Sequence, residues 1–208
     1  MQEKSKHSNC RCAKMTKAKT GDLVICICGM AGSGKSTLAK RLAQKYGFRY
    51  YSGGDALKAL AIEEGYKSLD RGWWEREEGL RFLEERRRDP KFDTAIDRKF
   101  LELARRGKVI LDSWTMPWLL KKGFKIWLEA SAEKRTERIA RRDCLNVEAA
   151  LAALKNKEAQ TRTIYKKLYG FSLGEDFAPF HFILDTEILN AEEVFQILCK
   201  IVENVVLC

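Results

Sequence analysis

The chain has 208 residues, 45% hydrophobic and 33% charged, which is enough for one domain with a sizeable buried core. No apolar run approaches the roughly 18 residues a membrane span needs, and no segment near the start has the form of a signal peptide, so the expectation is a soluble cytoplasmic protein without a membrane partner. The net charge of +10 invites a nucleic-acid reading, but residues 1–20 hold six basic residues (Lys4, Lys6, Arg11, Lys14, Lys17, Lys19) against one acid, Glu3, so half the excess sits in a tail.

Residues 1–20 lack apolar periodicity and read as a disordered basic tail. Cys10 and Cys12 with His7 can bind a metal, but no second ligand pair follows at a zinc-site spacing; the other reading is a tail of reduced thiols. The domain proper is expected over 21–208. Residues 23–28 form an apolar strand in which Cys26 and Cys28 act as small apolar fillers. A glycine-rich turn leads into a helix over 35–46, stopped at Gly47. Residues 48–51 form a short aromatic strand ended by Ser52-Gly53-Gly54. Residues 55–105 read as helices broken near Gly65, Gly72 and Asp89-Pro90. Strands over 108–112 and 124–128 follow, then helices over 132–168 with a break near 144–146. A last strand at 182–185 precedes an amphipathic helix carrying Val194, Phe195, Leu198, Ile201, Val202 and Val205. Five strands separated by helices predict an α/β fold: a parallel sheet with helices on both faces. The segments 55–105 and 132–168 are too long for simple crossovers and are where substrate-covering parts belong.

Gly29-Met30-Ala31-Gly32-Ser33-Gly34-Lys35-Ser36-Thr37 fits the phosphate-loop pattern, directly after an apolar strand and opening a helix. Glycines let backbone N–H groups turn inward around a phosphate, and the helix N-terminus adds its positive end. Lys35 then reaches the β- and γ-phosphates of ATP, and Ser36 offers its hydroxyl to Mg²⁺. Asp112, at the carboxyl end of its strand, is the second candidate for the Mg²⁺ site. Asp185 also ends a strand, but a cap or turn role suits it better. The loop alone does not choose among ATPases, GTPases and kinases, although no guanine-reading Asn/Thr-Lys-x-Asp segment is present.

Four stretches narrow the choice: Tyr50-Tyr51-Ser52-Gly53-Gly54-Asp55-Ala56-Leu57-Lys58-Ala59-Leu60-Ala61, Ile126-Trp127-Leu128-Glu129-Ala130, Glu137-Arg138-Ile139-Ala140-Arg141-Arg142, and Tyr165-Lys166-Lys167-Leu168-Tyr169-Gly170. In order and over about residues 23–205, the chain resembles archaeal-type cytidylate kinases, which are P-loop nucleoside-monophosphate kinases. The resemblance implies a P-loop kinase fold with a helical acceptor-binding insertion and an arginine-bearing lid. It also implies transfer of the γ-phosphoryl of ATP to CMP or dCMP with Mg²⁺. By the same resemblance Ser52 and Asp55 match polar residues at the mouth of the acceptor site. Lys58 stands where the family often has arginine, keeping the charge without the bidentate fork. Arg138 and Arg142 match lid arginines that stabilise a transferring phosphoryl group. On a helix they share a face with Arg135, with Arg141 adjoining; the competing reading is a solvated face salted with Glu133 and Glu137.

Two departures fall on the acceptor side. The family shows Glu-Gly-Arg after the third strand, where this chain has Asp112-Ser113-Trp114. Trp114 cannot grip a phosphate, though it can stack on a base or cap the core. Ile164 occupies a second family arginine position, and Arg162, two residues earlier, lies about 200° around the helix; it is the remaining acceptor candidate there. Arg71, Arg76 and Arg81 are possible sources of the missing cation, and Trp73-Trp74 line the same cavity or bury in the helical core. Neither His7 nor His181 has a catalytic setting, which suits phosphoryl transfer between already ionised oxygens. The leading expectation is a monomeric nucleoside-monophosphate kinase. The alternatives are a P-loop kinase for another small molecule and a nucleotide-switched nucleic-acid-binding protein.

Overall fold

The computed structural model describes residues 23–68 and 72–207. The proposed tail, with His7, Cys10 and Cys12, and also Arg71 lie outside the described residues. In chain order the elements are β1 (Val24–Cys28), α1 (Lys35–Tyr46), β2 (Arg49–Ser52), α2 (Gly53–Glu63), a 3₁₀ turn (Trp73–Glu75), α3 (Glu77–Arg88), α4 (Lys91–Arg105), β3 (Val109–Asp112), α5 (Met116–Leu119), β4 (Phe124–Glu129), α6 (Ala132–Asp143), α7 (Val147–Tyr169), β5 (Phe182–Asp185) and α8 (Ala191–Ile201). The five strands form one sheet in the order β2-β3-β1-β4-β5. Every neighbouring pair is parallel, as the alternation of apolar strands and helices predicted.

β1 is central and buried on both faces, so it reads as a continuous apolar run rather than an alternation. Its side chains divide by the two-residue period of a strand. Ile25 and Ile27, with Ile110, Ile126 and Leu128, face Leu38, Ala39 and Leu42 of α1 and Val194, Leu198 and Val202 at the C-terminal end. Val24 and Cys26, with Val109 and Leu111, face Phe82, Phe92, Ile96 and Phe100 of the insertion helices. Cys28 belongs to a third cluster with Trp127, Ile164 and Tyr165. Burial pushes the Cys26 thiol up to about 12, which fits an inert apolar filler. Among the described residues no helix is long and apolar enough to cross a membrane.

The helix ends follow local chemistry. Gly47 closes α1 in the left-handed region at φ 66°. Ser131, Asn146 and Asn190 cap α6, α7 and α8 with side-chain oxygens on backbone N–H groups, and Glu193 completes a capping box with Asn190. Two details differ from the sequence reading. The C-terminal α-helix stops at Ile201 and continues as a π-turn over Val202–Val206, and the short α5 was not anticipated. Asp185 takes the turn role, accepting from the Glu187 N–H.

Candidate active site

The carboxyl ends of β1, β2 and β3 bring Cys28, Ser52 and Asp112 to one edge of the sheet, where ligands of open α/β sheets bind. The phosphate loop leaves β1 here. Its tight course depends on two glycines: a Cβ on Gly29 would come within 2.5 Å of the Leu128 carbonyl, and one on Gly32 within 2.6 Å of the Arg135 carbonyl. Lys35 Nζ donates to the Met30 carbonyl at 3.4 Å and lies 5.3 Å from the Trp114 ring centroid. The Trp114 indole N–H donates to the Gly29 carbonyl at 2.6 Å, so the side chain that stands in place of the family arginine is tied to the loop. Ser36 Oγ donates to Asp112 Oδ2 at 2.5 Å, and the Tyr50 hydroxyl donates to the same oxygen at 3.1 Å. Burial raises the Asp112 carboxyl above its usual range, against the pull of Lys35 and these two hydrogen bonds.

A cavity of about 190 Å³ beside the loop is also lined by residues of the segments 55–105 and 132–168. At its far end Arg86 and Asp93, both buried, form a bidentate pair with Nε–Oδ2 at 3.0 Å and Nη2–Oδ1 at 2.5 Å. Asp97 accepts from the hydroxyls of Thr115 at 2.5 Å and Tyr169 at 2.6 Å. Burial outweighs both bonds and pushes its carboxyl up to about 6. Glu75 of the 3₁₀ turn, whose side chain is nearly enclosed, lies 3.4 Å from Lys157 Nζ and 3.6 Å from Arg142 Nη2. Burial lowers the Lys157 ammonium to about 8, with Lys35 and Arg142 acting in the same sense.

Of the residues singled out from sequence, Ala31, Gly32, Lys35, Ser36, Ser52, Asp55, Asp112, Trp114 and Arg142 line this cavity. Ser52 also caps α2, accepting from the Asp55 N–H at 3.1 Å. Arg142 forks onto Asp143 at 2.8 and 2.5 Å. Four expected groups are placed elsewhere. Arg138 donates to Thr186 at its hydroxyl (3.1 Å) and carbonyl (2.7 Å), which ties α6 to the end of β5 and keeps the guanidinium out of the cavity. Arg135 is buried, paired with Glu158 and donating to the Ala31 carbonyl at 3.0 Å, so it braces the phosphate loop from behind. Arg162 donates to the Leu173 carbonyl at 3.0 Å, and Lys58 lies on α2 beyond the lining. Ile164 is buried in the apolar cluster around Cys28 and Trp127. Arg76 and Arg81 are exposed, Arg81 pairing with Glu78. Trp73 is buried, whereas Trp74 faces the cavity.

Sequence reasoning missed Glu75, Arg86, Asp93, Asp97 and Lys157. A signal existed for four of them. Arg86 follows Phe82 and Leu83 at helical spacing, Asp93 and Asp97 share the face of Ile96 and Phe100, and Lys157 continues the buried row Ala150, Ala153, Leu154 toward Thr161 and Ile164. Charged residues on an apolar helix face are buried, and buried charges need partners.

Known proteins place this geometry in a family. A sequence model described as the cytidylate kinase-like family matches residues 24–188. A cytidylate kinase of Aeropyrum pernix is 36% identical over 176 residues, covering 84% of this chain and 95% of that protein. A cytidylate kinase of Pyrococcus horikoshii is 33% identical over 183 residues, covering 88% and 89%. Among solved structures, the shikimate kinase of Bacteroides thetaiotaomicron superposes with a TM-score of 0.53 at 15% identity, over 87% of this chain and 98% of that one, a likeness of fold alone.

Proposed function

This chain belongs to the cytidylate kinase-like family, and on that premise we propose that it is an ATP-dependent nucleoside-monophosphate kinase acting on CMP or dCMP and releasing the diphosphate and ADP. The observation that carries the reading is a single cavity with the loop lysine and the Ser36–Asp112 pair at one end and the buried Arg86–Asp93 and Asp97 groups at the other. Two phosphate-bearing substrates can meet in such a space with their reacting oxygens aligned.

In this reading the loop from Gly29 to Thr37, with Met30, Ala31, Gly32, Ser33 and Gly34 between, wraps the donor phosphates with its backbone N–H groups at the start of α1. Lys35 exchanges the Met30 carbonyl and the Trp114 face for phosphate oxygens. Ser36 Oγ and Asp112 Oδ2 are hard oxygen ligands already in contact at the loop, a donor set that fits Mg²⁺. Bound there, the ion would neutralise charge on the donor phosphates. Arg142 leaves Asp143 for the transferring phosphoryl group, while Arg138 anchors the lid helix through Thr186. The segment 55–105 serves as the acceptor arm and 132–168 as the lid. Ser52 and Asp55 border the acceptor, and Arg162 supports the wall from outside the cavity through the Leu173 carbonyl.

Turnover of ATP–Mg²⁺ against the ribo- and deoxyribonucleoside monophosphates tests this directly. CMP or dCMP should be the best acceptor. Equal inactivity on all of them, with ATP still bound, overturns the reading in favour of a different small-molecule acceptor.

A further inference from the structure

The cavity wall carries four cations, Lys35, Arg86, Arg142 and Lys157, and they differ in how fully protein groups already neutralise them. Arg86 is closed onto Asp93 through two hydrogen bonds, both side chains almost fully enclosed. Arg142 forks onto Asp143, and its side chain remains 59% exposed. Lys35 belongs to the phosphate loop. Lys157 is in another condition. Its side chain is only 13% exposed, and the carboxylate paired with it among the described residues, Glu75 at 3.4 Å, is shared with Arg142. Its remaining close neighbour is the Trp74 ring, 4.9 Å from Nζ, which offers a weak attraction and no hydrogen-bond acceptor.

An ammonium removed from water and incompletely paired is costly unless something compensates it. Of the charged groups that act on Lys157, Glu75 from the 3₁₀ turn attracts it, while Lys35 from the start of α1 and Arg142 from α6 repel it. Two of these three are cations, and the one acid, Glu75, is shared between Lys157 and Arg142. A phosphate dianion supplies what is missing. Position decides which phosphate. Donor phosphates belong to the loop at the end of β1, whereas Lys157 is on α7 and its carboxylate partner, Glu75, belongs to the Trp73–Glu75 turn that packs against α3.

We propose, resting on the kinase reading above, that Lys157 is the cation that grips the acceptor's phosphate, supplying the charge that Trp114 does not. Glu75 is its positioning residue, holding Nζ toward the cavity and steering Arg142 to the same place. An acceptor oxygen, already ionised, forms the new bond to the γ-phosphorus as the bond from that phosphorus to the bridging oxygen of ADP breaks. No proton has to leave the nucleophile. Lys157 therefore acts by holding charge and by placing the oxygen, and it needs no base.

The test uses Lys157→Met and Lys157→Arg in the full chain. Loss of one charge-assisted hydrogen bond should raise the KM for CMP roughly 10- to 100-fold in Lys157→Met, while the KM for ATP stays within about twofold. Lys157→Arg should recover most of the CMP affinity, since the guanidinium keeps the charge. In the unmodified enzyme kcat/KM for CMP should fall above about pH 8 as the ammonium is lost, and that limb should vanish in Lys157→Arg. Unchanged CMP affinity in Lys157→Met, or a falling limb that persists in Lys157→Arg, overturns the proposal. Calorimetric titration of CMP without ATP separates the two readings. CMP binding that weakens in Lys157→Met supports Lys157 even where turnover is absent, and binding of equal strength in both proteins sinks it while leaving the kinase assignment standing. Matching circular dichroism and melting curves show that each variant is folded.

Discussion

The two ends of the cavity solve the same problem, holding charge in a partly dry space, by opposite means. At the loop end the fixed groups are backbone N–H donors and a helix N-terminus, shaped by glycines and completed by Lys35, Ser36 and Asp112. At the other end they are side chains drawn from the 3₁₀ turn, α3, α4, α7 and the segment after β3, and most are buried in ion pairs or hydroxyl–carboxylate bonds. Backbone donors see only phosphate, which every nucleotide offers, so the loop end confers binding without choosing a base. Buried side chains must be satisfied one by one, and a ligand that leaves any of them unpaired is rejected. In the proposed reading the fold thus separates a general grip from a discriminating one.

The largest effect should come from removing the general grip. Lys35→Ala takes away the one side-chain cation of the loop, and turnover should fall by roughly a hundred- to a thousandfold or more. Near-normal steady-state rates in that variant would break the assignment of the loop end to the donor. Arg142→Ala comes next, because Arg142 is the lid guanidinium that does line the cavity. If it serves the transferring group, kcat should drop by roughly a hundredfold with little change in ATP affinity, the pattern of an interaction made in the transition state. A purely raised KM would move Arg142 into ground-state binding.

The same separation explains what could be read from the chain alone. The loop end is contiguous: strand, glycines, lysine, serine and helix follow one another within residues 24–46, so a local pattern contains the site. The five strands and the breaks in the insertion were legible for the same reason, since strand period, glycines and Asp89-Pro90 act locally. Asp112 was legible because a strand end is a local position too. The far end is not contiguous. Glu75, Arg86, Asp93, Asp97 and Lys157 span more than eighty residues, and each sits in a charged helix or turn that resembles a solvated surface. Helical spacing from Phe82 and Leu83 singles out Arg86, and packing then encloses it while Arg87 and Arg88 beside it are exposed. The lid arginines fail in the opposite way. Arg135, Arg138 and Arg142 share a helical face as the spacing required, yet one braces the loop, one ties down β5 and one reaches the cavity. A shared face fixes direction, but the destination depends on what packs opposite each residue.

Asp97 offers a smaller effect that belongs to the discriminating end alone. Its carboxyl is raised from the ordinary carboxylate range to about 6 by burial. The folded state therefore holds this proton more tightly than the unfolded chain. The sign follows from linkage: the group's contribution to stability is complete below about pH 4 and is lost as pH rises through 6. At pH 7 the folded protein carries a cost on the order of 3 kcal/mol from this one ionisation. Asp97→Asn does not titrate, so the difference in melting temperature between it and the unmodified protein should move in the variant's favour between pH 4 and pH 7. A difference independent of pH would show that Asp97 is not strained toward its neutral form, and that the far end is less tightly built than the ion pairs imply.

Trp114 stands on the border between the two ends and gives the finest test of where one stops. Its indole N–H is spent on the Gly29 carbonyl, and its ring lies beneath the Lys35 ammonium. Both contacts belong to the loop, although the residue follows β3 and lines the same cavity as Arg86, Asp93 and Asp97. Trp114→Phe keeps an aromatic face for Lys35 and removes the hydrogen bond, so the expected cost is about 1 kcal/mol of stability. That is a fall in melting temperature of roughly 2–4 °C for a chain of this size. Because the lost bond restrains the loop backbone, ATP affinity should weaken more than CMP affinity when both are titrated calorimetrically. The opposite order would mean that the indole contacts the acceptor more than it restrains the loop. The border would then lie at Gly29 itself, and the discriminating end would begin one residue after Ser113.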